Sequence, residues 1–119
     1  RMSEFRKEYL GNDVSVIVSD EHGFGTDAVL LADFVSPKHK ENACDFGTGC
    51  GIIPMLWYRN GCAKHIWGVE LQKQGYQQAC ESAKISEAEE KITFLNHDLR
   101  DIKSVFEHGK WMLILQSPT

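Results

Sequence analysis

The chain has 119 residues, of which 42% are apolar and 25% charged, the balance of one compact globular domain and too few residues for two. That composition excludes collagen-like, low-complexity and strongly disordered classes. With 13 basic and 17 acidic side chains the formal charge is −4, so no overall basic field recruits phosphate and any nucleic-acid contact must be local.

No stretch approaches the roughly 20 apolar residues of a membrane span, and the charged start Arg-Met-Ser-Glu-Phe-Arg-Lys has no apolar segment behind it. A cytoplasmic protein with no membrane contact is expected. Cys44, Cys50, Cys62 and Cys80 lack C-x-x-C spacing and have no histidine at ligand distance. Reduced thiols are expected, with neither a metal site nor a disulfide scaffold.

In chain order, VSVIV at 14–18 is a β-branched run ended by Ser19, Asp20 and Gly23, which predicts a strand. A helix should follow from an N-cap at Thr26 or Asp27 through DAVLLADFV until Pro37 stops it. Ala43, Cys44 and Phe46 suggest a short buried strand, and the glycine-rich turn after it opens a helix over 52–60 closed by Gly61. Pro54 fits within that helix's first turn. Carrying no charge before Arg59, the helix should lie between a sheet and a second layer.

A buried strand is expected over 65–69, then a helix over 72–85 with Tyr76, Ala79, Cys80 and Ala83 at i, i+3, i+4 and i+7. Strands at 92–95 and 111–115 complete the pattern. Strands alternating with helices imply parallel βαβ units. The fold class is therefore α/β: one domain over 1–119, with a strand-and-turn region over 1–24 ahead of a βαβ part.

Chemistry concentrates in Asp45-Phe46-Gly47-Thr48-Gly49-Cys50-Gly51, between a strand and a helix, where glycines let the backbone approach a ligand that a Cβ would exclude. Glu70 ends the next strand, about 20 residues on, where a carboxylate can accept from both hydroxyls of a ribose. Asp98 ends the strand after that and could accept from an adenine amine, unless it or Asp101 merely caps the next short helix. All three acids fall at the carboxyl edge of a parallel sheet, a nucleoside-binding arrangement. The spacing is G-x-G-x-G behind an acid, not the G-x-G-x-x-G that seats a pyrophosphate. Asp45 would repel a pyrophosphate and could hold a cationic, methionine-like amine or a structural water, so S-adenosylmethionine fits better than a nicotinamide dinucleotide.

His22, His39, His65, His97 and His108 fall singly and form no triad pattern. Trp57, Tyr58 and Trp67 read as core or boundary residues, and Arg59, Lys64 and His65 as a small solvated basic corner with a lesser claim on RNA.

Together, FGTDAVLLADF, DFGTGCGIIPMLWYRNG, IWGVELQ and LNHDLRDI resemble the small-domain methyltransferases, most closely the bacterial transfer-RNA (adenine-N6)-methyltransferases that modify the position beside the anticodon. The resemblance runs from Phe24 to about Leu115. It implies a Rossmann-like class I sheet, of which the chain would hold the N-terminal, cofactor-binding half. It also implies S-adenosylmethionine as cofactor, the N6 amine of adenine in transfer RNA as methyl acceptor, and transfer RNA as partner. Asp45, Gly47, Thr48, Gly49 and Gly51 would line the methionine end, Glu70 and Leu71 the ribose, and Asp98 and Leu99 the adenine. Thr26 and Asp27 match the turn that packs on the cofactor from the N-terminal side.

The chain departs from the family after the last strand. Where such enzymes carry [N/D]-P-P-[Y/F], it reads Gln116-Ser117-Pro118-Thr119. Ser117 and Pro118 occupy the acceptor-motif position without its polar acceptor and stacking ring together. The expectation is a truncated form whose fourth strand, WMLIL, is an exposed edge open to self-association. The alternatives are an inactive cofactor-binding fragment and a protein glutamine N-methyltransferase.

Overall fold

The computed structural model describes residues 4–98, residue 100 and, as backbone, residues 111–116. Its elements run β1 (Arg6–Gly11), β2 (Val14–Val18), α1 (Thr26–Phe34), β3 (Asn42–Phe46), α2 (Ile52–Arg59), β4 (His65–Val69), α3 (Lys73–Ile85), β5 (Ile92–Leu95) and β6 (Trp111–Gln116). Among them no helix is long and apolar enough to cross a membrane.

Strands β3 to β6 form one parallel sheet in the order β5-β4-β3-β6. From β3 the chain steps outward through β4 and β5, whereas β6 pairs on the other side of β3. The strand order therefore reverses at β3, and ligands in such sheets bind outside the carboxyl ends of the strands at that reversal. Side chains alternate across the strands. Ala43, Ile66, Ile92 and Phe94 pack into the main core with α2 and α3, while Cys44, Phe46, Trp67, Val69 and Leu95 cluster on the opposite face. By the same alternation Asp45 belongs to the main-core face.

Helix α2 is buried from Ile52 to Trp57, as its lack of charge requires. The second layer over it comes from α1, whose Ala32 is buried in the same core, and from β2, whose Val14, Val16 and Val18 are buried there too.

Three expectations need correction. Strand β1 was not foreseen, because RKEYLG shows no apolar alternation and its first four residues are exposed. It exists because Gly11, Asn12 and Asp13 all adopt positive φ, closing a tight hairpin that pairs Arg6 with Val18 and Gly11 with Val14. The N-cap of α1 is Gly25, with no side-chain cap bond, and not Thr26 or Asp27. On α3, Tyr76 and Cys80 are only half-buried, and the deepest face is Gly75, Gln78, Ala79, Ser82 and Ala83.

That polar helix face docks the hairpin. Ile17 N donates to Ser82 Oγ at 2.8 Å and Ser15 N to Ser86 Oγ at 2.9 Å, while Gln78 Nε2 donates to the carbonyls of Ile17 (3.0 Å) and His22 (2.9 Å). Helix side chains thus satisfy the strand edge that a further strand would otherwise pair.

Candidate nucleoside-binding cleft

A cleft of about 750 Å³ opens at the carboxyl ends of β3 and β4. Its floor is the turn after β3. Gly47 N and Thr48 N both donate to Val69 O, at 2.8 and 3.0 Å, which folds the turn back over β4. Gly47, Gly49 and Gly51 all have positive φ (75°, 58° and 87°), a region costly for residues with a Cβ.

Beyond their shared backbone conformation the three glycines differ. A Cβ on Gly49 would meet nothing within 4 Å, so that side of the turn is open to the cleft. A Cβ on Gly51 would come within 2.8 Å of the Phe94 ring and 3.0 Å of Ala79 Cβ. Gly51 therefore lets α2 settle against β5 and α3, and it lies outside the cleft lining. Thr48 lines the cleft, yet its Oγ1 is buried without a hydrogen-bond partner, 3.1 Å from where a Cβ on Gly68 would stand.

Glu70, 9% exposed, faces the turn. Gly49 N donates to its Oε1 and Gln72 N to its Oε2, both at 2.8 Å. Each oxygen keeps a lone pair for a ligand hydroxyl. Asn96 Nδ2 donates to the Glu70 carbonyl at 2.8 Å and the Leu71 carbonyl at 3.0 Å, fixing the strand end from β5. Asp45, 1% exposed, lies deeper in the same cleft. Its charge adds to burial in pushing the flanking thiols up, Cys44 to about 12 and Cys50 to about 11.

The opposite wall is the loop between β2 and α1, residues 21–25, together with Asp27, Ala28 and Leu31 of α1. Sequence reasoning missed Glu21, His22, Phe24 and Gln72, all of which line the cleft. The available signal was position: Phe24 opens the FGTDAVLL segment, Glu21 and His22 stand just ahead of it, and Gln72 ends IWGVELQ.

Of the residues expected from sequence, Asp27, Asp45, Gly47, Thr48, Gly49, Glu70 and Leu71 come together around the cleft. Thr26 is exposed at the start of α1 and outside the lining. Asp98 also stands outside the lining, engaged by Arg100, whose Nη2 lies 2.9 Å from Oδ2. The hydrogen bonds from Arg100 hold its carboxyl down at about 2. Leu99, Ser117 and Pro118 fall outside the described residues.

No protein-family model matches the chain. It is 33% identical over 95 residues to the tRNA1(Val) (adenine(37)-N6)-methyltransferase of Tolumonas auensis, an alignment covering 79% of this chain and 38% of that protein. The protein of the same name from Glaesserella parasuis is 29% identical over 93 residues, covering 78% of this chain and 38% of the relative. The chain thus spans under two fifths of the length of these curated relatives.

Among solved structures, M. capricolum TrmK in complex with S-adenosyl-homocysteine superposes with a TM-score of 0.68 at 11% identity, covering 82% of this chain and 42% of that one. The M. jannaschii tRNA m1G37 methyltransferase does so with a TM-score of 0.60 at 19% identity, covering 85% and 30%. By fold the chain is a Rossmann-like α/β sheet, and by sequence it is similar, over about four fifths of its length, to the tRNA1(Val) (adenine(37)-N6)-methyltransferases.

Proposed function

We propose that the chain binds S-adenosylmethionine and serves an enzyme that methylates the exocyclic N6 amine of adenine in transfer RNA, in a cytoplasmic setting. The observation that carries the reading is Glu70. Both its carboxylate oxygens are aimed by backbone N–H groups, one of them from the glycine turn, and both retain acceptor capacity at the cleft rim. A vicinal diol can use two such oxygens at once.

The rest of the cleft suits the same cofactor. Asp45 puts a buried carboxylate near the floor, where it would attract a cationic amine. Gly49 leaves bare backbone toward the cleft. Leu71, 66% exposed beside Glu70, offers apolar surface to a base. Asp98 would have to exchange Arg100 for an adenine amine, so it supports the reading less than Glu70 does. When bound, the cofactor supplies a methyl group on a positively charged sulfur. The chain's own part is to hold that group, orient it and exclude water.

Calorimetry with S-adenosyl-homocysteine tests the cofactor reading. The chain should bind, and Glu70→Ala should abolish binding; unchanged binding in the variant would overturn the site. Transfer of labelled methyl from S-adenosylmethionine to unmodified transfer RNA tests the acceptor, and label on protein glutamine instead would replace adenine with that substrate.

A further inference from the structure

The loop between β2 and α1 is fixed at His22 from both backbone and side chain. His22 N donates to Ser19 Oγ at 3.1 Å, and the His22 carbonyl accepts from Ser19 N (3.0 Å) and Gln78 Nε2 (2.9 Å). Ser19 and Gln78 are 1% and 3% exposed, and Ser19 Oγ itself donates to Gln78 Oε1 at 2.8 Å. The backbone of the loop is thus bolted to the middle of α3.

The imidazole reaches the other way, toward the cleft rim. Its Nε2 lies 2.6 Å from the acceptor Gln72 Oε1, and its Nδ1 is buried with no hydrogen-bond partner. Gln72 is the N-cap residue of α3, and its own N–H donates to Glu70 Oε2. Glu70 Oε1 in turn accepts from Gly49 N. One continuous series of contacts therefore joins the loop wall to the glycine floor: His22, Gln72, Glu70, Gly49.

Room for the ring is made by a single missing atom group. A Cβ on Gly75 would stand 2.8 Å from His22 Cδ2, 3.1 Å from His22 Nε2 and 3.2 Å from Glu70 Cγ. Gly75 lies in the first turn of α3, and glycine is a poorer helix former than alanine. Its neighbours explain why it stands there: alanine would push His22 and Glu70 apart.

From this arrangement we infer that His22 is a positioning residue for the ligand's ribose, setting the angle of the Glu70 carboxylate through Gln72, with Gly75 as the seat that permits it. The inference rests on the nucleoside reading of the cleft. His22 acts by fixing the Gln72 side chain, and the Gln72 backbone N–H then holds one carboxylate oxygen in place.

The test compares the affinity of the chain for S-adenosyl-homocysteine with that for its 2′-deoxyribose version. Failure of the unaltered chain to bind either would sink the nucleoside reading itself, separately from the role of His22. Given binding, His22→Ala should weaken the ribose ligand on the order of tenfold, the loss of one well-placed hydrogen bond. It should leave the deoxyribose ligand much less affected, narrowing the preference between them. A loss equal for both ligands would mean that His22 merely stabilises the fold, and the inference would fall. Gly75→Ala should reproduce the narrowed preference with His22 still present. In the double variant the added methyl meets only Glu70 Cγ and no ring, so Gly75→Ala should cost less on top of His22→Ala than it does alone; fully additive losses would overturn the seat.

Discussion

On one side of the cleft Gly47, Thr48 and Gly49 are held by backbone bonds to Val69 and by the Glu70 carboxylate; on the other, residues 19–22 are held by side chains of α3, chiefly Gln78 and Gln72. The floor belongs to a parallel sheet packed tightly enough that two glycines, Gly51 and Gly68, exist to admit the Phe94 ring. The wall belongs to a two-stranded hairpin that is no part of that sheet and reaches its place through buried polar contacts. A floor built from backbone and close packing tolerates little change of volume. A wall built from side-chain hydrogen bonds should tolerate volume and fail on loss of polarity.

The sharpest way to break that contrast is Gly68→Ala. Its Cβ would fall 2.5 Å from Phe94 Cε1 and 3.1 Å from Thr48 Oγ1. Overpacking at a buried strand position should cost about 2 to 3 kcal/mol, read as a lowered urea midpoint. An unchanged midpoint would mean that the floor is looser than its contacts imply.

Gln78→Met, which nearly keeps volume, comes next. It strips the donors from the carbonyls of Ile17 and His22 and the acceptor from Ser19 Oγ. The expected loss is about 2 kcal/mol, since buried groups are left unsatisfied while packing survives. Amide exchange should rise in residues 15–22 and not in β3 or β4. Uniform exchange throughout would dissolve the distinction between wall and floor.

The smallest effect concerns His65, on the sheet face away from both. Burial, then the Lys91 charge, lowers its pKa below the ordinary 6.5. The folded state therefore binds fewer protons there than the unfolded chain, so stability rises with pH in the window below about 6.5 and is lost as acid protonates the ring. His65→Gln should flatten the difference in urea midpoint between pH 5.5 and 7.5. A difference undiminished in the variant would place the acid sensitivity elsewhere.

Much of the floor was legible in the sequence because its rules are local. A β-branched or small-residue strand, a G-x-G-x-G turn and a carboxylate about 20 residues on each have a backbone reason visible in one dimension. The strand over 65–69 falls as the pattern predicts, and the helix expected over 52–60 runs over 52–59. The wall was not legible. Gln78, Ser82 and Ser86 look like the solvated side of an amphipathic helix, and only the arrival of an unpaired strand edge turns them inward. Asn12 and Asp13 did carry a hairpin signal, obscured by the charged strand before them. His22 had no spacing rule to mark it, since its partner Gln72 is 50 residues away.

Cys50 sits within the glycine turn, 1% exposed, its thiol pushed up to about 11 and facing the Gly23 carbonyl at 3.8 Å. At neutral pH only about one such thiol in ten thousand would be a thiolate, and peroxides and disulfides react with that form. A sulfur placed at the heart of the turn is thereby insulated from oxidants, so the binding floor should keep its shape through redox swings that would modify an open cysteine.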